Sequence, residues 1–117
     1  MKESSIFKRV KAIKHTFQGV LALWQHEQAF RLEIYICLIL APVIFLLAIP
    51  GFLKLMLVLL LLFLLLVEAL NSAIEAVVDR ISLERHPQSG LAKDMGSAAV
   101  GIAIVMNVVA WAYVICL

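Results

Sequence analysis

The feature that most limits this chain is a run of Leu, Val, Phe and Met from Leu55 to Val67. With no Pro or Gly to stop a helix, it passes directly into Glu68, Asn71, Glu75 and Asp79. The apolar run has the character of a membrane span. The polar residues that continue it are spaced by three, four and four, the neighbour spacing on one face of an α-helix. At about 1.5 Å rise per residue they line roughly 16 Å of that face. Carboxylates at the edge of the hydrocarbon are expensive to hold, so they need partners and commonly mark a function.

Hydrophobic residues make up 64% of the 117, far beyond a soluble domain, and the expected class is an all-α membrane protein of one domain, residues 1–117. Three stretches are long enough to cross about 30 Å of hydrocarbon, each with roughly 20 residues: 30–49, 52–71 and 95–117. An inward N-terminus places Lys2, Lys8, Arg9, Lys11, Lys14, Arg31, Arg80, Arg85 and Lys93 on the cytoplasmic side and leaves only Lys54 outside. That bias sets the topology. The acids and the histidines all fall on the same inner side or at its boundary, so any chemistry is expected at the cytoplasmic face, with residues 80–94 as a cytoplasmic loop. Cys37 and Cys116 lie in separate apolar runs and form neither a CxxC motif nor a disulfide framework. The charged first thirty residues lack the apolar core of a cleaved signal peptide.

Along the chain, Ile6, Val10, Ile13, Phe17, Val20, Leu21 and Trp24 recur at intervals of three and four, with Lys8, Lys11, Lys14 and His15 on the flanks. This pattern predicts an amphipathic helix over residues 1–28, lying in the interface of an anionic inner leaflet. Glu27 and Arg31 are four apart and suited to pair on a helix face. Pro42 is expected to bend the first span, and Pro50-Gly51 to form the outer turn. Ser82 to Gly90 reads as a polar loop. His26 and His86 are solvated polar residues on this reading, since His86 has no second histidine at ligand spacing, and Lys93 is either an inner-side anchor or a phosphate contact. Gly96, Ser97, Ala98, Ala99, Gly101 and Ala103 give the third span a small-residue face, with Ser97 and Gly101 at the spacing that permits close helix packing. Asn107, deep in that span, is expected to hydrogen-bond to a neighbouring helix. Three helices cover so much polar surface poorly, which points to a homo-oligomer.

No GxxxxGK phosphate loop, GxGxxG, HExxH or GxSxG motif is present. The chemistry available is a ring of carboxylates (Glu27, Glu68, Glu75, Asp79, Asp94) with Arg31, Arg85 and Lys93 among them. Oxygen ligands favour Mg²⁺, which takes one or two carboxylates and completes its shell with water and substrate phosphates. A nucleotide site and a cation-conducting site fit this arrangement almost equally well.

Three segments separate them. Val67 to Arg80 (Val-Glu-Ala-Leu-Asn-Ser-Ala-Ile-Glu-Ala-Val-Val-Asp-Arg), Ala92 to Val100 (Ala-Lys-Asp-Met-Gly-Ser-Ala-Ala-Val) and Glu27 to Glu33 (Glu-Gln-Ala-Phe-Arg-Leu-Glu) together resemble the small bacterial integral-membrane diacylglycerol kinases. The undecaprenol kinases share the Asn-Ser/Thr-Ala-Ile-Glu core and the Lys-Asp pair, but Arg80 and the Met95-Gly96-Ser97 sequence are more similar to the diacylglycerol branch. The resemblance implies a homotrimeric bundle with sites at subunit interfaces, transferring the γ-phosphate of MgATP to the primary hydroxyl of diacylglycerol, with no nucleic-acid partner. It implies Glu68 as general base, supported by Asn71, and Glu27 and Glu75 as magnesium ligands. His15, Glu27, Glu75, Glu84, Arg85, His86, Lys93 and Asp94 would meet ATP. Arg9, Trp24, Arg31, Glu68, Ser97 and Trp111 would lie on the lipid side. His15 stands where the family often has Tyr, Phe17 where it often has Trp, and Pro87 stiffens the loop.

Depth agrees with these roles. The hydroxyl of a diacylglycerol sits at the interface, and Glu68 is the acid of the polar stripe still inside the span, where lost hydration makes it a better proton acceptor. Glu75 lies two turns further, about 10 Å along the axis, where a nucleotide arrives from the cytoplasm. Asp79, a further turn out and beside Arg80, is expected to be structural. A non-enzymatic channel or transporter subunit is the remaining alternative, but Asn107 is the one strongly polar residue deep in the third span, too few to line a conducting path.

Overall fold

The structure, a computed structural model, describes residues 4–117. Lys2 and the first three residues of the expected surface helix lie outside the described residues. Four helices follow in order, α1 Ser5–His26, α2 Gln28–Leu46, α3 Gly51–Ile81 and α4 Pro87–Ile115. Of these, α2, α3 and α4 are long and apolar enough to span a membrane.

Each helix end has an identifiable cause. The Ser4 side chain accepts a hydrogen bond from the Phe7 amide at 3.1 Å and starts α1. Glu27 takes an extended conformation (φ −113°, ψ 105°) that ends α1 and begins α2, although its amide still donates to Leu23 O at 2.9 Å. The helix α2 continues through Pro42, which removes one rung of its hydrogen-bond ladder, and ends at Leu46, three residues short of the expected span. Lys54 Nζ donates to Phe45 O at 2.8 Å across the outer turn, satisfying one of the terminal carbonyls of α2.

The inner boundary differs most from the sequence expectation. At 31 residues, α3 is about 46 Å long, so roughly a third of it extends beyond a 30 Å hydrocarbon core. The expected loop over 80–94 shrinks to residues 82–86, because α4 begins at Pro87. His86 is its N-cap, with Nδ1 accepting from the Gln88 amide at 3.1 Å, and Pro87 occupies the first turn, where its missing N–H costs nothing. Gly90 therefore lies inside the helix, and Pro87 starts α4 instead of stiffening a loop.

Helices α3 and α4 pack antiparallel, with Asp79 meeting Lys93 at the inner end, Asn71 meeting Gly96 deeper, and Leu60 O meeting Asn107 in the outer half. The face of α4 turned to α3 carries Gly96, Ala103 and Ala110, all buried and seven residues apart, with Asn107 and Val114 between and beyond them. Ser97 and Gly101, expected to form the close-packing pair, point away from α3 and are exposed. The seven-residue repeat selects a different small-residue stripe from the four-residue one. In lipid the hydrophobic effect does not drive helices together, so this close approach works through van der Waals contact.

The core has two tiers. In the outer half, Ile44 and Leu57 are fully buried with Leu61, Ala110 and Val114. In the inner half the buried residues of α3 are Glu68, Asn71 and Ser72, with Val78 nearer the helix end. The polar tier and the lipid-exposed surface of the outer half place the chemistry at one end of the bundle.

Candidate active site

The polar tier is built on α3, whose uninterrupted helix carries Glu68, Asn71 and Glu75 on the side facing α2 and α4. Glu68 is 7% exposed and Asn71 8%. Asn71 Nδ2 donates to Glu75 Oε1 at 3.4 Å, joining consecutive turns. Glu27, half-buried at the α1–α2 elbow, and Glu75 both lie within electrostatic reach of Glu68. The three carboxylates assigned to base and metal roles in the sequence are thus brought to one neighbourhood.

Glu33 joins them, and the sequence reading gave it no role. It projects from α2 with its carboxyl facing that of Glu68, and its Oε2 is buried without a hydrogen-bond partner. The signal was present in the sequence, since Glu33 is the one acid inside the expected 30–49 span and an intramembrane acid is a functional candidate by default.

Arg31 does not pair with Glu27. Its guanidinium reaches back across the elbow, with Nη1 donating to Trp24 O at 2.7 Å and Gln25 O at 3.2 Å. The helix break at Glu27 removes the one-face geometry on which the i, i+4 pairing depends and exposes the last carbonyls of α1, which attract a cation. Trp24 stands edge-on to Tyr35, with ring centroids 5.6 Å apart, so the elbow is closed by both an aromatic contact and a charged one.

Two openings flank the tier. A groove of about 490 Å³ lies between α1 and α3, lined by Gly19, Ala22, His26, Glu27, Ser72 and Ala76. A second cleft, about 530 Å³, lies under the 82–86 loop and is lined by Asp79, Glu84, Arg85, His86, Ser89 and Lys93. Lys93 Nζ bonds Asp79 Oδ1 at 2.7 Å, both side chains being nearly half exposed. The pair ties Asp79 to α4 and holds Lys93 at the cleft wall. With Nδ1 engaged in the cap, His86 keeps Nε2 available. Asp94 and Ser97 are exposed on α4, and Arg9 and His15 are exposed on α1. Trp111 packs against the outer core. It sits at about the level of Leu57, roughly 16 Å along α3 from Glu68, and the structure does not bring it to the carboxylates.

Whether this donor set suits Mg²⁺ follows from its composition. Among the described residues, no group of three or more His, Cys, Asp or Glu side chains is arranged to hold a metal. A metal bound by protein alone does not fit. One that takes Glu27 and Glu75 oxygens and completes its shell with water and nucleotide phosphates does.

The family model described as prokaryotic diacylglycerol kinase matches residues 14–115. This chain belongs to the prokaryotic diacylglycerol kinase family. It is 42% identical over 113 residues to the diacylglycerol kinase of Pseudomonas aeruginosa, covering 97% of this chain and 92% of the relative. To the diacylglycerol kinase of Escherichia coli strain K12 it is 44% identical over 102 residues, covering 87% and 84%, and to that of Haemophilus influenzae 41% over 113 residues, covering 94% and 93%. The family match takes in the elbow, the polar tier, the 82–86 cleft and all of α4. It begins at Lys14, so the first half of α1, including Arg9, lies outside it.

Proposed function

We propose that this chain is an ATP-dependent lipid kinase that transfers the γ-phosphate of MgATP to the primary hydroxyl of diacylglycerol, giving phosphatidic acid. The observation that carries the reading is the buried Glu68, in a member of a kinase family, held with Glu27, Glu33 and Glu75 where a membrane span gives way to its inner extension. A membrane-confined alcohol and a water-soluble nucleotide can meet only at such a boundary.

The Glu68 carboxylate accepts the proton of the lipid hydroxyl as its oxygen attacks the γ-phosphorus. The bond from that phosphorus to the bridging oxygen breaks and ADP leaves. Asn71 holds Glu75 in place through its 3.4 Å bond. Bound with the nucleotide through Glu27 and Glu75, Mg²⁺ supplies the charge neutralisation that phosphoryl transfer requires. Glu84, Arg85, His86, Lys93 and Asp94 around the 82–86 cleft position the nucleotide, with His15 approaching from α1. The groove beside α1 admits the lipid headgroup past Arg9, Trp24, Arg31 and Ser97, and Trp111, deeper, meets an acyl chain.

The chain works as a homotrimer in the bacterial inner membrane, with its N-terminus cytoplasmic and α1 lying on the inner leaflet. The fully outward Ile6, Val10, Ile13 and Phe17 on α1, and the exposed Ser97 and Gly101 on α4, are the surfaces that support this placement. Purified protein with MgATP and diacylglycerol is expected to form phosphatidic acid and to pass no ions across liposomes. A clear preference for a polyprenol acceptor in kcat/KM, or ion flux without ATP, would overturn the assignment.

A further inference from the structure

Asn71 and Gly96 meet where α3 packs on α4. A Cβ placed on Gly96 would overlap Asn71 Oδ1 and stand 3.2 Å from its Cγ, with only Asn71 Cβ, at 3.8 Å, at an ordinary contact distance. The four other glycines of the chain, Gly19, Gly51, Gly90 and Gly101, have nothing within 4 Å of a Cβ. Gly96 is therefore the one glycine whose lack of a side chain makes room for another residue. The residue it accommodates is one of the few buried polar groups. Asn71 Oδ1 has no hydrogen-bond donor and rests against the bare α4 backbone, where the Gly96 Cα–H faces it in a weak contact. Nδ2 is left for Glu75 Oε1. The reverse orientation would set Oδ1 against the Glu75 carboxylate, oxygen against oxygen, so Glu75 takes the Nδ2 end and the space at Gly96 takes Oδ1.

We propose that Gly96 is a positioning residue that acts through Asn71, its missing side chain seating the carboxamide so that Nδ2 holds Glu75. The role in turnover rests on the lipid-kinase reading above. The contact does not. A methyl group at position 96 must either swing Asn71 away from Glu75 or part the two helices, and a displacement near 1 Å in a phosphoryl-transfer site is worth about 10²-fold in rate.

The test is a cycle of Gly96→Ala, Asn71→Ala and the double variant, with Gly51→Ala, at the start of α3, as the control in open space. Activity and thermal midpoint are both measured on the purified full chain in detergent. Gly96→Ala is expected to lower kcat by about 10²-fold with the KM for lipid little changed, to raise the Mg²⁺ concentration for half-maximal rate, and to lower the midpoint. Gly51→Ala does none of these. In the Asn71→Ala background the midpoint penalty of Gly96→Ala disappears, because Cβ alone remains at an ordinary distance. If Gly96→Ala does not assemble, recovery of assembly in the double variant supports the inference and its failure overturns it. Equal penalties in both backgrounds, or normal turnover of Gly96→Ala, also overturn it. A wild-type chain without lipid-kinase turnover would remove the lipid-kinase reading and the role in turnover together, and the midpoint cycle would still decide the contact.

Discussion

Replacing Asn107 with Leu examines how the two helices are held together deep in the membrane. Asn107 Nδ2 donates to Leu60 O at 3.0 Å and to Ala103 O at 2.9 Å, while its Oδ1 is buried without a partner. The bond to Ala103 lies within α4 and survives when the helices separate, so only the bond to Leu60 joins α3 to α4. Interhelical hydrogen bonds in membranes contribute about 0.6 kcal/mol on average and about 1.7 at most. An orphaned buried acceptor costs about 1 to 3 kcal/mol in water-based measurements, and removing it offsets the lost bond. Asn107→Leu, of similar size, is therefore expected to change stability by no more than about 1 kcal/mol, whereas Asn107→Ala is worse than Leu because it leaves a cavity. Reversible unfolding in mixed micelles by titration with a denaturing detergent reads the difference. A loss above about 3 kcal/mol for Asn107→Leu would refute the reasoning, since only a fully satisfied polar network costs that much to dismantle.

Two other substitutions separate structural from functional roles. Arg31→Met removes the guanidinium from the last carbonyls of α1, and because the side chain is only half-buried the cost is about 1.5 kcal/mol, the low end for a charged hydrogen bond. The loss falls on the elbow, so hydrogen exchange is expected to rise in α1 and stay unchanged in α3 and α4. A uniform rise would contradict it. Lys93→Met breaks an exposed ion pair of little structural value, so it is expected to raise the KM for ATP without lowering the thermal midpoint. A fall in the midpoint with an unchanged KM would make Lys93 structural.

What could be read from the sequence depended on whether local chemistry alone decided it. The continuity of α3 from its apolar run into Glu68, Asn71 and Glu75 follows from spacing and the lack of helix breakers, and the structure keeps all three together. The start of α4 was missed by eight residues because Pro87 and Gly90 signal a loop in isolation. Only the His86 cap makes Pro87 a helix start. The elbow at Glu27 has no Pro or Gly to announce it, and with the break Arg31 turns to carbonyls it could not reach on a straight helix. Glu33 and Gly96 were legible only as types, an acid in a span and a small residue on a helix. Their partners, Glu68 and Asn71, are fixed by which faces of α2, α3 and α4 meet, and that is tertiary information.

The central claim is that Glu68 takes the proton of a lipid hydroxyl at the membrane boundary. Its most direct test is the turnover of Glu68→Gln with MgATP and diacylglycerol, alongside a measured thermal midpoint and oligomeric state. Loss of a positioned base predicts a fall in kcat of about 10²- to 10⁴-fold in a protein that remains folded and assembled. Near-normal turnover in such a protein would contradict the account.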